Sequence, residues 1–165
     1  MANREKLMHF LNIGTADKPN YVLLGDGITS LTENFNPESE NKHYINKATA
    51  SNVLKSYAPS ISVEKEYIKD EELQKWIDEK VRLLPVGAEA KADYVRINIL
   101  ETSSGEGSYP AVKRPCVYQF DSIGGEGGGY IMNSMTLTAD DDQVQGTFNV
   151  STKTFTATQA AQATQ

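Results

Sequence analysis

The sequence has very few of the residues that build covalent cross-links and metal sites. Its 165 residues include one cysteine and two histidines. Because a disulfide needs two cysteines, Cys116 excludes an internal disulfide and is typical of a reducing compartment. His9, His43 and Cys116 do not follow the spacing of a zinc cluster. We therefore expect neither a metal nor a cofactor.

Long apolar runs are also absent from the sequence. No segment approaches the roughly 20 consecutive apolar residues that a membrane-spanning helix requires. The first ten residues are too polar for a secretory signal. We expect synthesis in the cytoplasm and no membrane partner.

The sequence has fewer basic than acidic residues, 16 against 22, which gives a formal charge of −6. This balance argues against binding DNA or anionic lipid by simple attraction. It is compatible with a surface past which DNA slides without adhering.

The motifs that suggest chemistry have simpler explanations. The glycine cluster 124–129 precedes a strand at Tyr130, whereas a phosphate-binding loop opens a helix. The run Asp140–Asp142 lacks the alternating ligands of a calcium loop and is typical of a turn. Cys116 follows Pro115 with no activating group nearby. We expect no enzymatic activity.

One stretch, Asp70–Leu84, has a helical period. Asp70 is a suitable N-cap residue, and Pro85 is expected to end the helix. The apolar side chains recur three or four residues apart, so they share one face that must pack on a sheet. The residues expected on this helix face are Leu73, Trp76, Ile77, Val81 and Leu84.

Most of the remaining chain alternates with the period of two that is typical of strands. Ile61, Val63 and Lys65 alternate with polar residues, and residues 130–138 and 144–150 predict a hairpin. Pro110 and Pro115 favour an edge strand or a bulge. The sequence thus predicts a mainly β fold, a sandwich or barrel with one flanking helix.

We predict a single domain over residues 1–157 and a disordered tail over residues 158–165. Residues 28–58 are polar and irregular, apart from a weak strand pattern at residues 43–45. A loop this long is usually functional or disordered, so we predict an arm that contacts a neighbouring molecule. The candidate arm residues are Ile28, Leu31, Phe35, Tyr44, Ile45, Val53, Leu54 and Tyr57.

Several segments resemble the major tail (tail tube) proteins of long-tailed, non-contractile phages of Gram-positive bacteria. They are residues 24–32 (LGDGITSLT), 36–38 (NPE), 44–46 (YIN), 121–125 (DSIGG) and 146–148 (GTF). The likeness extends over roughly residues 8 to 157, and its order along the chain carries more weight than any single segment.

This resemblance implies a structural role in the virion tail. Six copies would form a ring with a continuous inner barrel, and stacked rings would surround a tape-measure protein between terminator and distal tail proteins. About −36 per ring would repel the passing double-stranded DNA. The candidate residues for the lumen are Glu64, Glu66, Asp140, Asp141 and Asp142, with the polar faces of residues 130–138 and 144–150.

A second class of function stays open, namely a monomeric β module that binds carbohydrate or peptide. Such a module would use an aromatic surface, for which Tyr109, Tyr118 and Tyr130 are the candidates. Rings or tubes of the purified protein would favour the tail tube, and persistent monomers would favour the module.

Overall fold

The computed structural model describes residues 1–101 and 105–158, and these residues confirm a mainly β chain with one α-helix. Short 3₁₀ turns occur at Arg4–Lys6 and Gly87–Ala90. The strands and helix, in chain order, are β1 (Leu7–Asn12), β2 (Tyr21–Leu23), β3 (Ile28–Asn34), β4 (Pro37–Lys42), β5 (Ser51–Tyr57), β6 (Ser60–Glu66), α1 (Glu72–Leu83), β7 (Lys91–Asn98), β8 (Ser108–Gly124), β9 (Met132–Ala139), β10 (Val144–Asn149) and β11 (Thr154–Ala157).

Nine of these strands form one antiparallel sheet. Its main path is β2-β1-β7-β8-β9-β6-β3, and β10 and β11 extend it from β8. The other two strands, β4 and β5, pair with each other in a separate hairpin. Within the described residues, β2, β3 and β11 each have one strand partner, so their outer edges are unpaired by strands.

The sheet curls toward a barrel. Three strands separate β3 from β7 in the sheet order, and four strand spacings in a flat sheet would hold them roughly 19 Å apart. Glu33 on β3 nevertheless forms ion pairs with Arg96 on β7 and with Arg114 on β8. The curvature therefore brings the inner faces of distant strands around one core.

Two apolar clusters fill the fold. The inner one joins the concave face of the sheet to α1, and it includes Ile61, Val63, Tyr94 and Leu137. The second lies on the opposite face of β1 and β7, where the ring of Phe10 is 4.5 Å from that of Phe148 on β10. Strand β7 is therefore buried on both faces.

Helix α1 lays its apolar face on the concave side of the sheet. Leu73, Trp76 and Ile77 are buried, and Val81 packs against the same cluster. The Trp76 ring contacts that of Tyr118 at a centroid distance of 4.9 Å. These packing contacts stabilise the helix more than its intrinsic propensity does.

The ends of the helix differ from the sequence prediction. Glu71, not Asp70, is the N-cap residue, because Asp70 adopts a left-handed conformation with φ 65°. Leu84 was expected on the packed face, but 62% of it is exposed. It takes the left-handed C-cap conformation and donates its N–H to Lys80 O at 2.8 Å, so its side chain leaves the buried face.

The predicted hairpin of residues 130–138 and 144–150 is wrong. β9 and β10 do not pair with each other, because both pair with the 17-residue strand β8, one after the other. Ala139 lies opposite Cys116 and Val144 opposite Lys113, and the turn at residues 140–143 passes Pro115.

Strand β8 is not an edge strand, since it has strand partners on both sides, but each proline pairs on one side only, Pro110 with Thr147 and Pro115 with Asp93. The Pro115 carbonyl accepts the Asp140 N–H at 2.9 Å, so this side of Pro115 faces the junction between β9 and β10. No strand residue there requires the N–H that proline lacks. A register shift between Phe120 and Ser122 marks an irregularity farther along β8.

Residues 28–58 are not an irregular loop. Their first part is β3, which pairs with β6 in the main sheet, and the rest contains the β4–β5 hairpin. Residues 43–45, which suggested a strand, lie in the connection between β4 and β5. The sequence did not predict these strands because they lack alternating buried apolar residues. Leu31 is the one buried residue of β3, and neither β4 nor β5 has a buried face.

The predicted tail begins with Thr158, whose N–H donates to Gln145 O at 2.9 Å. The remainder of the tail, residues 159–165, lies outside the described residues. In the ranges 1–101 and 105–158, no helix has the length and apolar character needed to cross a membrane.

Candidate functional site

The β4–β5 hairpin, residues 37–57, projects from the body and is called the arm. Every residue of β4 is exposed, and Ser51 is the one residue of β5 that is half-buried. The arm still carries large apolar side chains, with Ile45 fully exposed at its tip. The exposed apolar residues here are Tyr44, Ile45, Val53, Leu54 and Tyr57, with Phe35 at the base.

Hydrogen bonds between residues 35–36 and residues 58–60 attach the base of the arm to the body. Asn36 has a left-handed backbone with φ 46°, and its side-chain amide donates to Ala58 O at 3.0 Å and Ser60 Oγ at 3.1 Å. Ala58 N–H in turn donates to Phe35 O at 3.2 Å. This left-handed asparagine lets the chain leave β3 and re-enter the sheet at β6.

The tip of the arm is ordered by its own contacts. The His43 ring donates to Lys47 O at 2.9 Å, and Lys47 N–H donates to Tyr44 O at 3.1 Å. The Lys47 ammonium lies 5.8 Å from the centre of the Tyr44 ring. At the tip, residues 41–51, the charged side chains are Lys42 and Lys47, whereas the strands of the arm also carry Glu38, Glu40 and Lys55. The tip itself is therefore apolar and basic.

Two of the predicted arm residues belong to the body instead. Leu31 is buried on β3, and Ile28 packs against the inner cluster. The register pairs Leu31 with Val63, which places both side chains on the concave face. The six remaining candidates are exposed and are brought together on the arm and at its base.

The convex face of β3, β6, β9 and β8 is polar and almost free of apolar side chains. Cross-strand pairs place Ser62 beside Thr32 and Thr136, and Thr136 beside Gln119. Residues that oppose each other in an antiparallel pair point to the same face. This surface, called the polar face, consists of Ser30, Thr32, Ser60, Ser62, Glu64, Gln119, Ser134, Thr136 and Thr138.

The structure separates the carboxylates that were predicted to line a lumen. Glu64 lies on the polar face, and Glu66 is half-buried at the end of β6. Asp140, Asp141 and Asp142 instead occupy the turn after β9, where Asp140 pairs with Lys91 at 2.9 Å. Residues 144–150 belong to β10 and pair with a different part of β8.

A buried charged cluster on the concave side was missed by the sequence analysis. Glu33 and Arg114 are each 6% exposed at the side chain, and Arg114 Nη2 donates to Glu33 Oε1 at 3.0 Å and Gln143 Oε1 at 2.9 Å. Arg96 forms the second ion pair with Glu33. A groove of about 900 Å³ opens beside this cluster and reaches the base of the arm at Tyr57.

His9 continues this polar network between β1, β3 and β7. Arg4 donates to the His9 Nε2 at 3.0 Å and to Leu31 O at 3.1 Å, and the other ring nitrogen meets the Tyr94 hydroxyl. Burial, with the nearby positive charges of Arg4 and Arg96, lowers the pKa of His9 to about 3. The network has the geometry of a clamp that holds β3 against β1 and β7.

A second buried ion pair attaches the helix to the sheet. Lys65 is buried on β6, where its ammonium pairs with Glu71 and donates to Glu66 O at 3.0 Å. The sequence placed Lys65 on the apolar face of its strand, but it gave no sign of the partner. Only the path of the chain after β6 brings Glu71 back over this strand.

The tyrosines proposed for a carbohydrate or peptide site do not form one surface. Tyr118 is buried on the concave side, and its hydroxyl donates to Glu89 O at 2.9 Å. Tyr109 is near the start of β8, whereas Tyr130 follows its end and is 80% exposed. These three tyrosines therefore do not supply the aromatic surface that such a module would use.

The described residues offer little for covalent or metal chemistry. Cys116 is buried, and its burial raises the pKa of the thiol to about 12, which keeps it protonated and unreactive. No group of three or more His, Cys, Asp or Glu side chains in residues 1–101 and 105–158 is arranged to hold a metal ion. The features that stand out are therefore surfaces: the arm and the polar face.

This architecture is shared with proteins of solved particle tails. A chain in the tail of an empty gene transfer agent (GTA) particle, obtained by helical refinement with C6 symmetry, superimposes with a TM-score of 0.62. The match is 14% identical and covers 95% of this chain and all of that one. A chain from the virion of a native GTA particle matches over the same shares, also at 14% identity, with a TM-score of 0.60.

At this level of identity the likeness shows the fold. No protein-family model matches the sequence, and no curated protein matches it either. The predicted tail-tube-like fold is thus supported by structure, and the function follows as a proposal.

Proposed function

We propose that the chain is a structural subunit of a phage-type tail tube. The observation that carries this proposal is the match over 95% of the chain to a protein in a tail with C6 symmetry. By analogy, six copies form a ring and rings stack into a tube. The role is one of assembly rather than catalysis.

The open strand edges and the exposed arm support self-assembly. An edge without a strand partner invites pairing with another chain, and a monomeric protein normally protects such edges. β2 and β3 end the main path of the sheet, so neighbouring copies can continue it around a ring. The arm exposes apolar side chains that would be buried only by another molecule.

The polar face is our candidate for the wall of the lumen. Its hydroxyl and amide groups are uncharged, and its carboxylates are Glu64 and the adjoining Asp121, which accepts hydrogen bonds from Gln119 and Thr136. A lysine-free surface has no cation to bind DNA phosphates, and the charge of −6 per copy repels them. DNA would pass such a wall with little adhesion.

The remaining partners follow from the resemblance to major tail proteins. They are a tape-measure protein inside the tube and terminator and distal tail proteins at its ends. Assignment to a non-contractile phage of a Gram-positive host is part of the same proposal, as is location in the virion tail after synthesis in the host cytoplasm.

Negative-stain electron microscopy of the concentrated protein tests the proposal. We expect six-fold rings or tubes with a central channel. Retention of duplex DNA on the assembled protein should be weak at every salt concentration. Persistent monomers would contradict the tube, and tight, salt-sensitive DNA binding would contradict the lumen assignment.

A further inference from the structure

One open edge of the sheet is covered by a side chain instead of a strand. Strand β3 pairs with β6 on one side and, in the described part of the chain, has no strand partner on the other. On that open side, the Leu31 carbonyl accepts a hydrogen bond from Arg4 Nη2 at 3.1 Å. Arg4 lies in the 3₁₀ turn that precedes β1. It therefore covers an edge that the proposed ring needs for pairing with a neighbouring copy.

The same guanidinium also covers the start of the β1 edge. Strand β2 pairs with the second half of β1, and Leu7 lies beyond the end of this pairing. The Lys6 carbonyl faces β7, because it accepts the Ile99 N–H at 3.0 Å. Backbone groups of successive residues point in opposite directions along a strand, so the Leu7 carbonyl faces away from β7. It accepts a hydrogen bond from Arg4 Nη1 at 2.8 Å.

Arg4 thus occupies the space between two strand edges. A groove of about 600 Å³ lies here, and its lining includes Met8 and His9 from β1 and Ser30 and Thr32 from β3. A guanidinium carries its N–H groups in a planar fork. In this groove the fork donates to a carbonyl on each side, as the N–H groups of a central strand do. Arg4 and an incoming strand therefore compete for the same edge of β3.

The contact of Arg4 can open while β3 stays in place. Arg4 is exposed, so water replaces its hydrogen bonds at small cost when it leaves. Strand β3 is held to the body by its pairing with β6 and by the buried ion pairs of Glu33 with Arg96 and Arg114. Release of Arg4 therefore uncovers the edge of β3 without freeing the strand.

We propose that Arg4 is a latch that keeps the free subunit from assembling, because it covers the outer edge of β3 until a strand of a second copy displaces it. A monomer normally protects an open edge of this kind. Pairing along the seven residues of β3 supplies a row of backbone hydrogen bonds, so the exchange favours the assembled state once copies meet. The inference rests on the proposed tube and adds the step that delays its formation.

Removing the guanidinium tests the latch. Analytical ultracentrifugation over a range of concentrations measures the fraction of protein in oligomers of any size, and light scattering measures the lag before larger assemblies form. For Arg4→Ala we expect assembly at a several-fold lower concentration and after a several-fold shorter lag. The matched control is Lys6→Ala, which removes a positive charge from the same turn but only an exposed pair with Glu5 at 3.6 Å. It should assemble like the wild type.

Equal or slower assembly of a folded Arg4→Ala variant would overturn the latch. Circular dichroism and thermal unfolding check that the variant is folded. If it is not, Arg4→Lys decides, because it keeps the charge and loses the planar fork that reaches both carbonyls. Arg4→Lys should assemble faster than the wild type, and an unchanged rate would count against the latch.

A second substitution identifies the edge that the loss of Arg4 uncovers. Lysine on an edge strand opposes pairing with another strand. Thr32→Lys, at an exposed position of β3, should therefore cancel the gain in assembly when it is combined with Arg4→Ala. The matched control combines Arg4→Ala with Thr138→Lys, which adds the same charge to the polar face on β9, a strand with partners on both sides. That variant should keep the gain, and equal behaviour of the two double variants would exclude β3 as the uncovered edge.

Microscopy of the same samples separates this inference from the proposed function. If Arg4→Ala forms tubes at concentrations at which the wild type stays monomeric, both stand. If the wild type forms tubes and Arg4→Ala assembles no faster, the latch is wrong and the tube survives. If Arg4→Ala oligomerises more readily but neither protein forms rings or tubes, the latch stands and the proposed function fails. If both proteins stay monomeric at every concentration, both fail.

Discussion

The body and the arm use the same antiparallel strand pairing but bury very different surfaces. In the body, Ile61, Val95 and Leu137 are fully buried between the sheet and its covering elements. In the arm, Val53, Leu54 and Tyr57 are about half exposed. A two-stranded hairpin in water is marginally stable by itself. The apolar residues of the arm therefore contribute little to the folding stability of their own chain.

The ion pairs of the two regions differ in the same way. Glu33 in the body has a side chain 6% exposed and balances two guanidinium groups. Glu40 in the arm pairs with Lys55 at 2.8 Å, but its side chain is 44% exposed. Water therefore screens the Glu40–Lys55 pair much more than the pairs of Glu33. The body therefore depends on its charges, and the arm does not.

Truncating one apolar residue in each region should give the largest difference in folding stability between the body and the arm. Trp76→Ala should lower the free energy of unfolding by about 3–5 kcal/mol, because it removes the ring between α1 and the sheet. Leu54→Ala in the arm should change it by less than about 0.5 kcal/mol. Urea unfolding of dilute, unassembled protein measures both. Similar losses for the two variants would show that the arm packs on the body in solution.

Neutralising one carboxylate in each region should have the next largest effect. Glu33→Gln leaves Arg96 and Arg114 without their counter-charge and should cost about 3 kcal/mol. Glu40→Gln should cost roughly 0–1 kcal/mol, and less in high salt. Thermal unfolding at low and high salt makes the distinction. A small loss for Glu33→Gln would mean that the clamp between β3 and the central strands is unimportant.

Acidification should have the smallest effect on folding stability, and one histidine in each region, His9 in the body and His43 in the arm, allows the comparison. The pKa of His9 is about 3 in the folded state and about 6.5 when unfolded, so between these values the unfolded state binds more protons. The free energy of unfolding should fall by up to about 1.4 kcal/mol per pH unit as the pH drops below 6.5. Measurements between about pH 6.5 and 5 avoid most carboxylate titration.

Replacing His9 by Gln should remove this part of the pH dependence. The matched control is His43→Gln, because His43 is exposed in the arm. A pH dependence that is the same in the wild type and His9→Gln would exclude His9 as its source.

The elements that could be predicted from the sequence are those whose apolar residues recur regularly on one face of a helix or strand. The helix and strand β6 were predicted because Leu73, Trp76 and Ile77 follow the helical period, while Ile61 and Val63 follow the strand period. Strand β3 was missed because Leu31 is its one buried apolar residue, and the arm was missed because its strands have no buried face. The exposure that leaves the arm without such a pattern is also the reason why we propose it as an assembly surface.

The chain's own residues determined a mainly β fold with one packed helix, and its single cysteine excludes an internal disulfide. Those properties depend on residue type and local period, which can be read without knowing what lies nearby. Only the tertiary structure decided that β9 and β10 share β8 and that Glu33 meets two arginines. Each of these depends on contacts between residues far apart in the chain, and local periodicity carries no information about them.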